Sequence, residues 1–299
     1  MKKLMLMCLM GMFLIGLFGC MESQVVQMRN IDFSNSHDEI KVMTFNTRVA
    51  SPIDLGNNWP FREKAAYTIL ESQAADIFGL QEVKNNQVEK VVRILPQYSY
   101  YTAGRKDGKK KGEMCPIFYR KDRFKQLNCG TFWFSKNPIK PNSKYGGTIF
   151  PRISSWVYLE DMWNGKKFYV YNLHLDPFNG NARKKSVKLL TKQIALRKTR
   201  DPFIIMGDFN ATLNSSAFDS LLKPVGELGL KFVDTWQAVN SDKKEIGTRH
   251  LFTGKTNWGK IDHIFVSGGT AIDCNVITGK IEGKWPSDHF PVISRVKLN

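Results

Sequence analysis

The sequence predicts an α+β fold built on a mixed sheet. Six short segments run apolar residues into a carboxylate, an amide or a histidine: Lys41–Asn46, Asp76–Glu82, Lys167–Asp176, Pro202–Asn210, Lys260–Phe265 and Pro286–Val292. Runs of β-branched and aromatic residues of this length read as buried strands, and the polar group that ends each run falls on the rim of the sheet. Amphipathic helical stretches lie between some of these runs, while others are joined by turns. Hairpins mixed with helical crossovers exclude a purely parallel sheet.

The elements follow in chain order. Ala65, Ala66, Ile69 and Leu70 share one face of a helix over Arg62–Ser72, and a second helix is expected over Val83–Leu95. Strand-like runs come next at Tyr98–Ala103, Pro116–Arg120, Lys125–Phe134 and Ser154–Asp161. The last of these pairs with Lys167–Leu175 across Asn164-Gly165, a strong hairpin turn. A third helix spans about Asn181–Thr199, with Val187, Leu190, Ile194 and Leu196 among basic positions, and a short fourth covers Ala217–Leu222. A final strand, Val292–Leu298, closes the chain. No repeat or internal linker appears after residue 40, so residues 40–299 read as one domain.

The first residues stand apart. Lys2 and Lys3 precede an apolar stretch from Leu4 to Phe18, too short to span a bilayer comfortably, which ends in Leu17-Phe18-Gly19-Cys20. That ending resembles the lipobox of bacterial lipoproteins, with Phe18 larger than the residue usual there. Residues 1–19 are therefore expected to be a signal peptide, with Cys20 lipidated and residues 20–39 forming a polar tether. An ordinary secretory signal or an uncleaved anchor are the other readings. The expected location is an exported, membrane-anchored bacterial lipoprotein. Loss of the leader takes the net charge from +17 to +15, which favours polyanionic partners, nucleic acid among them. Arg105–Lys111 and Arg183–Arg200 carry much of this charge and read as a solvated loop and a solvated helix face. Cys115, Cys129 and Cys274 remain in the mature chain, an odd number that gives no closed disulfide framework.

The rim residues suit phosphoester hydrolysis. A hard cation, Mg²⁺ or Mn²⁺, takes oxygen ligands, which Glu82 and Asn46 can supply. Asp208 is placed to orient water, and Asn210, two residues on, can donate to a phosphate oxygen. An imidazole moves a proton or stabilises an oxyanion best when a carboxylate fixes its tautomer, and His289 has Asp262 available. His174 supplies a second imidazole.

The series Phe45-Asn46, Gln81-Glu82, Asn172-Leu173-His174, Gly207-Asp208-Phe209-Asn210, Ile261-Asp262 and Ser287-Asp288-His289 resembles the endonuclease/exonuclease/phosphatase superfamily, deoxyribonuclease I-like, in order and spacing. The segment Gly112–Tyr119 is similar to the secreted bacterial branch. The resemblance implies a four-layer α/β/β/α sandwich of two packed mixed sheets flanked by helices, divalent-metal dependence, and cleavage of phosphodiester or phosphomonoester bonds. It implies that Asn46 and Glu82 lie at the metal, that Asp208 and Asn210 orient water and phosphate, and that Asp262 pairs with His289. His174 becomes an acid or a phosphate ligand, and Asp288 supports the metal or His289. Arg48 stands where some members place an acidic or amide residue, which puts a second metal in doubt. His263 stands where Tyr is frequent and reads as packing or a rim contact.

Weaker candidates for the substrate side are Arg152, Asp176, Arg183 and Glu113, with Trp258 and Trp285 at the mouth. The substrate is open. Nuclease activity is the leading special case of a phosphodiesterase. A sphingomyelinase or phospholipase-C-like activity, an inositol- or sugar-phosphate hydrolase, and a non-catalytic anion-binding lipoprotein are the alternatives.

Overall fold

The computed structural model describes residues 37–222 and 232–299. The expected signal peptide, Cys20 and the tether up to residue 36 lie outside the described residues. No helix among the described residues is long and apolar enough to cross a membrane.

Two six-stranded sheets form the structure. The first contains β1 (Glu39–Asn46), β2 (Ile77–Gln81), β3 (Tyr98–Tyr101), β4 (Ile117–Arg120), β11 (Gly269–Val276) and β12 (Val292–Leu298), in the order β11-β12-β1-β2-β4-β3. The second contains β5 (Phe124–Trp133), β6 (Ile153–Asp161), β7 (Lys167–His174), β8 (Phe203–Asp208), β9 (Val233–Asp234) and β10 (Asp262–Ser267), in the order β5-β6-β7-β8-β10-β9. Each sheet has one parallel pair near its centre, β1 with β2 and β7 with β8, joined through a helical crossover; the other pairs are antiparallel.

Strand alternation sends successive side chains to opposite faces, and both faces are covered. Val42, Ile77 and Ile117 of the first sheet meet Val157, Val170, Ile204 and Ile264 of the second in the central core. On the outer face of the first sheet, Phe45, Phe78 and Phe118 pack beneath α1 (Trp59–Gln73) and α2 (Asn85–Ile94) through Ala66, Ile69, Leu70, Val88 and Val91. On the outer face of the second, Leu173, Ile205 and Phe265 pack beneath Val187, Leu190 and Ile194 of α3 (Gly180–Ala195). These layers make the four-layer α/β/β/α sandwich. Burying each of the large side chains contributes about 1.5–3 kcal/mol.

Several boundaries differ from expectation. The third helix stops at Ala195, and beyond it Thr199 and Tyr158 both bond the Asp201 carboxylate and tie the following turn to the sheet. Of Pro286–Val292, residues 286–291 form a connecting loop whose polar residues precede β12 instead of ending a strand. The expected fourth helix is α4 (Asp219–Leu222), whereas the edge strand β11 and the short α5 (Thr235–Val239) were not anticipated; the mostly exposed, polar face of β11 hides its alternation. Residues 37–39, expected in the tether, pack on the domain. The ring of His37 meets Trp163 edge-on at 5.2 Å, Arg123 donates to its carbonyl, and Glu39 opens β1. Cys115, Cys129 and Cys274 are all free thiols.

Candidate active site

The parallel pairs decide where the polar groups collect. Register sets Asn46 beside Gln81 at the C-terminal edge of the first sheet, with Glu82 one residue on. In the second sheet, register sets His174 beside Asp208 and Asp208 beside Asp262. Gly207 allows that approach: its φ is +148°, and a Cβ there would lie 2.2 Å from the Leu173 carbonyl oxygen. Between the sheets, the Asn172 amide accepts from Gln81 Nε2 at 2.6 Å and donates to the Leu80 and Pro116 carbonyls at 2.9 and 2.8 Å. This crosslink fixes one sheet edge against the other.

Across that joint, Asn46 Nδ2 donates to Glu82 Oε1 at 3.1 Å and to Asp208 Oδ2 at 2.9 Å. Its Oδ1 accepts from Arg48 N at 2.9 Å. The amide therefore turns its N–H groups to both carboxylates, and Asn46 orients Glu82 more than it offers an oxygen to a cation. Glu82 Oε2 accepts from Val49 N at 2.8 Å. Glu82 and Asn210 hold φ of +63° and +49°, an uncommon backbone for Glu that the surrounding hydrogen bonds maintain.

Asp208 Oδ1 accepts from Asn210 N at 2.8 Å, while Asn210 Nδ2 donates to Leu175 O at 3.1 Å. Asp288 and His289 arrive on the 286–291 loop. Ser287 Oγ donates to the Asn46 carbonyl at 2.6 Å, and buried Arg62 donates to the Arg48 and Pro286 carbonyls at 2.8 and 2.9 Å. His289 Nδ1 lies 2.8 Å from Asp262 Oδ2, the expected pairing. Asp288 Oδ1 lies 3.3 Å from Ser287 Oγ, whose proton goes to the Asn46 carbonyl, and its Oδ2 is 4.0 Å from Arg48 Nε. The structure thus brings together Asn46, Glu82, His174, Asp208, Asn210, Asp262, Asp288 and His289.

Electrostatics divide the two imidazoles. Burial works against a charge on His289, but the carboxylates of Asp262, Asp288 and Asp208 outweigh it and hold the group up at about 10. Burial lowers His174 well below its ordinary value, and the guanidinium groups of Arg152 and Arg105 push the same way. His174 is therefore a neutral hydrogen-bonding group, which favours the phosphate-ligand role over that of an acid. Burial, then the neighbouring Asp262 carboxylate, raises Asp208 to about 7. Burial also raises Asp288.

The donor set fits a hard divalent cation. Glu82, Asp208, Asp262 and Asp288 are carboxylates, Asp262 Oδ1 is buried without a hydrogen-bond partner, and the raised Asp208 and Asp288 are groups whose charge a cation would relieve. Ligand atoms of Asp208, Asp262 and His289 lie within 4.8 Å of one another. Asp262 Oδ2 is taken by His289 Nδ1, and the nearby Glu82 carboxylate helps to raise Asp288, so Glu82 and Asp288 are the pair whose charges a shared cation would relieve.

Arg152, expected beside a strand and near phosphate, is buried with Nη1 3.1 and 3.2 Å from the two ring nitrogens of His174. Asp176 and Arg183 serve the backbone instead. Asp176 Oδ1 accepts from Phe178 N and Asn179 N, and Arg183 Nη1 donates to the Asp176 carbonyl at 2.8 Å. Trp285 packs on His250 and Phe290, whereas Trp258 is exposed. His263 is not an aromatic rim contact alone: it joins buried Lys260 and Asp234 in a polar cluster. Arg105, expected in a solvated loop, is buried and forms a two-point ion pair with Glu113 at 2.6 and 2.8 Å. No local pattern signals this pair, whose members stand either side of the turn at Gly108.

The family model for the endonuclease/exonuclease/phosphatase family matches residues 43–289, and the chain belongs to that family. An endonuclease/exonuclease/phosphatase from Bacteroides vulgatus superposes with a TM-score of 0.79 at 29% identity, covering 87% of this chain and 99% of that one. A mannosyl-6-phosphatase from Bacteroides thetaiotaomicron gives a TM-score of 0.77 at 31% identity, covering 87% and 100%. A curated relative from Encephalitozoon cuniculi, described as a probable CCR4-Not complex 3'-5'-exoribonuclease subunit, is 25% identical over 304 residues. The alignment covers 85% of this chain and 60% of that protein's length.

Proposed function

We propose that this protein is a divalent-metal-dependent phosphoesterase that hydrolyses its substrate by in-line attack of water. The observation that carries the reading is the convergence of Glu82, Asp208 and the Asp262–His289 pair on one rim of two sheets, with Asn46 bonded to both carboxylates across the joint. Mg²⁺ or Mn²⁺, held by Glu82 with Asp288 and oriented by Asn46, would supply positive charge to the phosphoryl oxygens.

The chain's own groups do the rest. Asp208, fixed by Asn46 Nδ2 and Asn210 N, orients water and takes its proton as the new O–P bond forms. Asn210 has a further N–H to give a phosphoryl oxygen, and neutral His174 donates a second. The His289 imidazolium, held charged by Asp262, stabilises the negative charge that builds while the P–O ester bond breaks. Turnover of a chromogenic phosphate ester that requires added Mg²⁺ or Mn²⁺ supports the reading. Metal-independent turnover, or none with His289 intact, contradicts it.

Export and anchoring are part of the same proposal. The Leu17-Phe18-Gly19-Cys20 ending supports a lipidated Cys20 that carries the domain at a membrane surface. Labelled palmitate should enter the wild-type chain and not Cys20→Ala. Equal labelling removes that assignment.

A further inference from the structure

Beside the site lies a small cavity of about 10 Å³, lined by Glu82, Arg105, Glu113, Cys115, Arg152 and His174 among others. It has room for about one water-sized group. Its charge is unusual. Arg105 is neutralised by Glu113, but Arg152, only 7% exposed, has no carboxylate within ion-pair distance among the described residues. Its Nη1 meets the neutral His174 ring. The Nε atoms of Arg105 and Arg152 are both buried without a hydrogen-bond partner. Burying an unpaired guanidinium and leaving such donors empty is costly, and an anion from outside the chain removes the cost. Catalysis as described above makes no use of this charge.

We infer that Arg152, backed by the Arg105–Glu113 pair, forms a subsite for a non-bridging oxygen of a terminal phosphate, so that the substrate is a phosphomonoester. The inference rests on the phosphoesterase reading and narrows it. A phosphomonoester carries close to two negative charges at neutral pH, one more than a diester, and so has use for one more uncompensated cation. Size points the same way. The cavity takes a single oxygen, and an ester arm does not fit beside Arg152. His174, 3.5 Å from Asp208 Oδ2 and within 3.2 Å of Arg152, joins the subsite to the place where water attacks.

The test compares p-nitrophenyl phosphate with methyl p-nitrophenyl phosphate, which share a leaving group, on the Mg²⁺-loaded full chain. Wild type should favour the monoester in kcat/KM. Loss of a charge-assisted contact in Arg152→Gln should lower the monoester-to-diester ratio by ~10- to 100-fold and weaken inhibition by inorganic phosphate to a similar degree. Arg152→Lys, which keeps the charge, should recover part of the phosphate binding. It also guards against a folding defect, as does a matching thermal melt. A wild-type preference for the diester, or equal losses on both esters, overturns the inference while leaving the phosphoesterase intact. Turnover of neither ester defeats the phosphoesterase reading instead. Direct titration of phosphate then still decides the subsite, and equal affinity in wild type and Arg152→Gln would sink it.

Discussion

The buried cluster of Lys260, Asp234 and His263 gives a prediction whose size can be worked out. Lys260 Nζ lies 3.1 Å from Asp234 Oδ2 and 2.6 Å from His263 Nδ1, and the lysine is fully buried. His263 Nδ1 is 2.9 Å from the same carboxylate oxygen, and Nε2 donates to the Ala211 carbonyl at 3.0 Å. Asp234 also caps α5 by accepting from Gln237 N at 3.0 Å. Burial alone would raise the Asp234 carboxyl, but Lys260 and His263 outweigh it and hold the group well below the usual carboxylate range. Asp234→Ala strands a buried ammonium, a loss of about 3–5 kcal/mol, and removes a cap that contributes about 1 kcal/mol. A total of ~4–6 kcal/mol is a large part of the ~5–15 kcal/mol that holds a typical domain.

Urea unfolding followed by circular dichroism measures this loss. Asp234→Asn keeps the cap and should lose the charge component alone. Lys260→Met combined with Asp234→Leu removes both charges, and most of the stability should return. The sign with pH follows from the lowered carboxyl: its contribution is present above the unfolded value near ~3.9 and fades as pH falls below it. The gap between wild type and Asp234→Asn should therefore narrow from about pH 5 downward. A single variant within ~1 kcal/mol of wild type at pH 7 would refute the reasoning, because breaking a buried pair should cost several times more.

Other consequences can be checked separately. Activity should rise as Asp208 ionises near about 7 and fall as His289 loses its proton near about 10, and Asp262→Asn should move the upper limb to lower pH. An unmoved upper limb would detach Asp262 from His289. Saturating Mg²⁺ should stabilise the fold by ~2.7 kcal/mol at 100 times its Kd, an increment that Glu82→Gln should largely remove. Thermal melts with and without chelator measure it, and an equal shift in the variant would move the cation elsewhere. Arg62→Met leaves carbonyls of the 47–48 and 286 loops without their donor, and urea midpoints should report a loss of ~2–4 kcal/mol. A change below ~0.5 kcal/mol, the range of ordinary surface substitutions, would mean water replaces the guanidinium.

Much of the site was legible because each strand carries its chemistry at its end. Asn46, His174 and Asp208 end their strands and Glu82 directly follows its own, the apolar runs are plain in the sequence, and the parallel pairs set those ends side by side. Asp288 and His289 were legible as residues but not as structure, since they sit on a loop that precedes β12. Charge patterning misled at Arg105. A basic run reads as solvated, and no local pattern reveals that Glu113, across the turn, draws the first residue of that run inside. The Lys260–Asp234–His263 cluster was invisible for a related reason. Asp234 is remote in sequence from Lys260 and His263, and the packing expected of His263, which does lie among Phe209, Phe218 and Phe265, gives no sign of the buried ion pair beside it. Asp176 and Arg183 stand beside the motif of His174, yet their hydrogen bonds hold the loop entering α3.

The most direct test is Mg²⁺- or Mn²⁺-dependent hydrolysis by the purified full chain, with His289→Ala and Asp208→Ala as folded comparators. The panel holds p-nitrophenyl phosphate, its methyl diester, a sugar phosphate, inositol phosphates, sphingomyelin, RNA and plasmid DNA. The account predicts metal-dependent turnover that falls by at least ~10² in each variant, the usual scale for a general acid–base group. Near-normal rates in either variant, or turnover indifferent to metal, would contradict it.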